Sequence, residues 1–134
     1  MSLSDTLEVE VLTWAFTNDA APTRPTAWYV ALFTADPGET GASGEMTGTG
    51  YARAAVTNGF STPTSGAVGC SNEADLVFTN SGGTAWTEAT YFGVFGHLSN
   101  ATPFYGGGQL TAPKTVGAGD TATFATGDLD ITLT

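Results

Sequence analysis

Few side chains in this sequence are of the types that do chemistry, and their spacing does not bring them into a recognisable set. The one histidine, His97, lies in "ATYFGVFGHL". No serine occupies the G-x-S-x-G setting that would make it the base of a nucleophile, so His97 reads as a packed or interface side chain. Cys70 is the one cysteine, which excludes an internal disulfide and a cysteine metal site. In "AVGCSNEADLVF" it has no histidine or cation close in sequence to lower its pKa, and suits a small buried hydrophobe better than a reactive thiol. The glycines of "YGGGQL" precede neither a helix nor a Lys-Ser/Thr pair. They form no phosphate loop and are expected to mark a bend where chains pass closely.

Carboxylates are the abundant ionisable group. Asp36, Glu39 and Glu45 share one loop, where a hard cation such as calcium could use them with loop carbonyls. Their spacing matches no ligand motif, and no metal or other cofactor is expected. Asp128 and Asp130 fall on one side of a strand, as solvated residues do. Aromatic faces can stack on sugars, and Trp28, Tyr29, Trp86, Tyr91, Phe104 and Tyr105 are the candidates. A carbohydrate-binding module for host-surface glycans is therefore the alternative function, with Trp86, after "NSGGTA", its best anchor. A β domain of this size needs its aromatics in the core, and that reading is preferred even for Trp86.

Charge narrows the partners. Three cations, Arg24, Arg53 and Lys114, face 13 carboxylates, and the formal net charge is −10. So acidic a chain offers no basic surface for phosphates, which argues against nucleic acid and anionic membranes. The 134 residues contain no apolar run near the ~20 that a membrane span needs. The N-terminus shows no secretory signal, and the expected product is assembled in the cytosol.

The elements that must position these residues are mostly short strands. "LSDTLEVEVLTWAF" is expected to be a helix, from the spacing of Leu3, Leu7, Val11, Trp14 and Ala15 and a start signal at Asp5 and Glu8. Asn18 to Pro25 ends it. Strands are expected at 27–34, 51–57, 74–79 and 89–98, then in "DTATFAT" and "DLDITLT". In the fourth, Tyr91, Gly93, Phe95 and His97 share one face and Phe92, Val94 and Gly96 the other. In the last, Leu129, Ile131 and Leu133 point inward. The expected fold is mainly β, a sandwich or jelly-roll of six to eight short strands with one N-terminal helix. It forms a single domain, 1–134, with helix and linker over 1–25 and sandwich over 26–134.

The order of segments resembles a family of small virion structural proteins of tailed bacteriophages, often labelled tail-fibre-like. The resembling pieces are "LSDTLE", "YVALFTADPGETGASGEMTGTGYARAAVT", "ADLVFT", "ATYFGVFGHL" and "GGGQLTAPKTVGAGDTATFATGDLDITL". The most specific is "YVALFTADP" followed, across an acidic glycine-rich loop, by "GYARAAVT". The resemblance implies a non-enzymatic virion component, either of the tail fibre or baseplate or as capsid decoration. It also implies copies of itself, with a trimer favoured, and other virion proteins as partners. Val9 and Val11 depart from the family pattern, where better helix formers are expected.

Two segments are the expected contact surfaces. The loop Ala35–Gly50, with Asp36, Glu39, Glu45 and Met46, is longer than packing within one domain requires. Deleting Gly38–Gly48 is expected to leave the domain folded but to weaken its incorporation into particles. The N-terminal segment carries Leu7, Val11, Trp14 and Phe16, more apolar surface than a peripheral helix covers on one face. A helix that merely caps the sandwich and a loop without order would account for the same residues.

Overall fold

The computed structural model describes residues 2–66 and 69–132. Its elements in chain order are β1 (Ser2–Leu3), α1 (Asp5–Phe16), β2 (Tyr29–Phe33), β3 (Ala54–Ala55), β4 (Gly69–Ser71), β5 (Leu76–Thr79), β6 (Ala89–Phe95), β7 (Phe104–Lys114), β8 (Thr121–Phe124) and β9 (Asp130–Thr132). The mainly β architecture with one N-terminal helix agrees with the sequence reading. One layer is a five-stranded antiparallel sheet in the order β1-β7-β6-β2-β3. The other consists of two separate antiparallel ribbons, β5-β8 and β4-β9.

Alternation along the strands builds two cores. On β6, Phe92 and Val94 face Val30 and Leu32 of β2, Leu76 and Phe78 of β5 and Leu129. Tyr91 and Phe95 point to the opposite face, where Ala31, Phe33 and Phe104 form a second aromatic cluster. Phe33 and Phe95 stack with their ring centroids 6.2 Å apart. Both faces of β2 are thus covered, which is why "YVALF" is a continuous apolar run. His97 lies beyond the end of β6 rather than on its face. It is exposed, and its Nδ1 accepts the backbone N–H groups of Ser99 and Asn100, so it caps a turn.

Three expectations change and one holds. The helix start lies one residue earlier than Asp5: Ser4 is the N-cap, and its hydroxyl oxygen accepts the N–H of Leu7. Ser4 also donates that hydroxyl to the carbonyl of Phe104, a tertiary bond that sequence spacing does not display. The expected strand 51–57 contracts to two residues because Tyr51 N–H closes a turn onto Gly48 rather than joining the ladder. "YGGGQL" is no bend; it lies within β7, where Gly106, Gly107 and Gly108 pair with Val94, Gly93 and Phe92. Last, the ribbons end as expected at Leu129 and Ile131, while Leu133 lies outside the described residues.

The absence of a side chain at Gly107 lets β6 and Pro37 of the loop approach β7 closely. A Cβ on Gly107 would fall 2.5 Å from the carbonyl oxygen of Phe92 and 2.6 Å from Pro37. The obstacle is backbone of the neighbouring strand and a proline, neither of which can rotate away. Gly107→Ala should therefore lower the free energy of unfolding by about 1–3 kcal/mol, the usual range for overpacking. Urea titration followed by tryptophan fluorescence measures it; an unchanged midpoint would contradict this close approach.

Candidate functional site

The loop 35–50 is bound into the fold at its second half. Thr34 N–H donates to Gly44 O and Met46 N–H to Leu32 O, so the chain returns alongside β2. Met46 is 2% exposed and belongs to the main core. That removes it from the expected contact residues, because an inward side chain presents nothing to a neighbour. Deleting Gly38–Gly48 would take Met46 from this core and Glu45 from its partner Arg53. Asp36 and Glu39, by contrast, are exposed at the tip. Asp36 accepts the N–H of Gly38, a local turn bond.

Glu45 is committed to Arg53. The guanidinium donates from Nε to Oε1 at 2.8 Å and from Nη2 to Oε2 at 2.7 Å, a two-pronged pair. Its Nη1 donates to the carbonyls of His97 and Asn100, and its Cζ lies 3.5 Å above the Phe95 ring. Arg53 is 7% exposed, yet its charge is paired and its donors are used. Tyr51 adds to the cluster, accepting Leu32 N–H and donating toward Glu45, and burial raises its phenol pKa well above the usual value. Asp36, Glu39 and Glu45 therefore do not converge, and among the described residues no three His, Cys, Asp or Glu side chains are placed to hold a metal ion.

The aromatic candidates for sugar stacking are also largely inside. Trp86 is 4% exposed, donates its indole N–H to Thr49 O and meets Tyr51 edge-on. Phe104 and Tyr105 are buried as well. The carbohydrate reading thus loses its best anchor, for the reason that Gly48 offers no side chain and lets the indole settle against the loop.

What remains outward is the helix. None of the described residues of α1 is buried. Trp14 is 70% and Phe16 80% exposed, with Val9 and Leu12 more than half exposed, while Leu7 and Val11 are half-buried. β1 and Ser4 fasten its N-terminal end to β7, through Ser2 opposite Gly107, Leu3 opposite Gly106 and Ser4 N–H to Tyr105 O. Beyond that anchor the helix overhangs an apolar groove of about 620 Å³, walled by Leu7, Val11 and Trp14 on one side and Trp28, Phe60 and Ile131 on the other. Cys70 lies in this groove, half-buried; burial first and the charge of Asp130 second raise its thiol pKa. Of the sequence candidates, the structure brings Leu7, Val11 and Trp14 together and leaves Asp36 and Glu39 on a separate tip. Sequence reading missed Val9 and Leu12, whose signal was an apolar pattern running around the whole helix.

Two outcomes follow from these environments. Arg53→Met should cost about 3–5 kcal/mol, because Glu45 and two carbonyls lose their donors together; chemical denaturation measures it, and a loss below ~1 kcal/mol would contradict the clamp. Cys70 should react with iodoacetamide at pH 8 more slowly than an unfolded-chain thiol, since its raised pKa leaves less thiolate. Equal rates in native buffer and in urea would disprove it.

The model of a family described as "Podophage GP4 fiber I protein gp80" matches residues 2–132. No curated protein matches the chain significantly.

Proposed function

This chain belongs to the podophage fiber protein family, and on that premise we propose that it is a structural component of the tail fibre, held by apolar contacts with copies of itself and with neighbouring virion proteins. The family indicates a structural protein and no enzymatic role. The carrying observation is α1, an anchored helix on which Val9, Leu12, Trp14 and Phe16 all stay more than half exposed. Exposed apolar surface of this kind marks an interaction site. Leu7, Val11, Trp14 and Phe16 form its contact surface, with Asp36 and Glu39 of the loop tip as a second, polar one. Glu45 and Met46 serve it indirectly, by fixing the loop that carries the tip. The proposed assembly is a trimer, by analogy with phage appendages, and the proposed location is the virion tail.

Fibre placement is favoured over capsid decoration by the family description. Quantitative staining of purified virions should give far fewer copies than of the major capsid protein, and antibody labelling should mark the tail. A copy number close to that of the capsid protein would sink the tail assignment. Trp14→Asp should reduce incorporation into particles while leaving the isolated protein folded, since that side chain is mostly exposed; normal incorporation would remove α1 from the contact surface.

A further inference from the structure

We infer that the outer ridge of α1 docks into the apolar groove of a second copy of this chain. This rests on the fibre-assembly reading and names the partner in it. At 3.6 residues per turn, Leu7, Val11 and Trp14 fall on one side of α1, and these are the residues that wall the groove. Val9, Leu12 and Phe16 fall on the other side, at the i, i+3, i+7 spacing with which a helix anchors in a groove. A helix apolar on both sides is one that becomes buried on both. Here only one side has this chain beneath it.

Charge selects the occupant. Two charged residues line the groove, Glu10 and Arg24, and Arg24 is exposed with no ion pair among the described residues. Arg53 is used inside the fold, so Arg24 is one of two cations left in a chain of 13 carboxylates. The outer ridge is flanked by Asp5 and Glu8, which lie in the first turn of the helix. A second copy offers Arg24 to these carboxylates and its groove to Leu12 and Phe16 in one contact. A basic partner protein would answer the carboxylates and leave the groove and Arg24 unmatched. Because ridge and groove lie on opposite sides of one helix, the contact is head-to-tail, and it closes into a ring or continues as a filament.

Sedimentation of the full chain should show self-association that grows with concentration. Leu12→Lys/Phe16→Lys removes the ridge, and Trp14→Asp spoils the groove. Each alone should weaken association about tenfold or more, the effect of losing one buried large apolar side chain. Arg24→Glu should weaken it as well. Mixed in equal amounts, the ridge and groove variants should form a one-to-one dimer, because the first keeps its groove and the second its ridge. If the mixture stays monomeric while the wild type associates, the contact is a symmetric one between helices and ridge-in-groove docking is wrong. A wild type that is monomeric at every concentration overturns it too, yet leaves the fibre reading intact if labelling still marks the tail. Capsid-like copy number with self-association preserved would do the reverse.

Discussion

A single buried cation holds together the parts of this fold that the ladder hydrogen bonds leave separate. Arg53 reaches the loop through Glu45, the β6–β7 connection through the carbonyls of His97 and Asn100, and β6 itself through the Phe95 ring. A guanidinium cannot shed its charge, so once shielded from water it must find a partner for every donor. That requirement fixes the return of the loop beside β2. Glu45 forms a bridge to Phe33 and so delivers Met46 into the core and Tyr51 onto Trp86. The long acidic loop is thereby a wall of the domain for half its length, and only its tip is free to meet anything else.

Elsewhere the interior is similarly complete. Two buried asparagines organise the connections around the ribbons. Asn72 donates to Ala74 O and Ala125 O and accepts Leu129 N–H, while Asn80 donates to Thr84 O and Val116 O and accepts Gly82 N–H. Among the described residues no buried side-chain polar atom lacks a partner. Against that background the helix stands apart. Its backbone is capped and its N-terminus is sewn to β7, but its side chains cover little and are little covered. Four of the exposed large apolar side chains, Val9, Leu12, Trp14 and Phe16, gather on this one anchored helix, whereas Val77 and Leu98 lie elsewhere in the chain. In the assembly proposed above, that cluster is the source of the hydrophobic driving force.

Much of the fold was legible along the chain. The alternation of Tyr91 and Phe95 against Phe92 and Val94 assigned these residues to the two faces of β6, which the structure shows to be two separate clusters. "YVALF" read as a strand covered on both sides because every residue is apolar. The helix was legible from the spacing of Leu3, Leu7, Val11, Trp14 and Ala15. Illegible were the residues whose role depends on partners far away in sequence. Glu45 looked like one more surface carboxylate until Arg53 came beside it, and Ser4 looked like flanking polarity until it met Phe104. The glycine run looked like a bend because glycine in isolation favours one; its place in a central strand follows from how closely Pro37 and the Phe92 carbonyl approach.

The sequence by itself determined what repeats at short range: where strands and helix form, which faces are apolar, how acidic the surface is and which family the chain resembles. These follow from side-chain periodicity and composition, which need no knowledge of distant neighbours. Only the tertiary structure decided which of the polar and aromatic candidates were inside. Trp86 and Glu45 carry the same chemistry whether exposed or enclosed, as does Met46, and the partners that enclose the first two lie 37 and 8 residues away along the chain. It decided also that α1, apolar all round, is covered on one side at most. Which apolar residues stay exposed is decided only after the rest of the chain has buried itself.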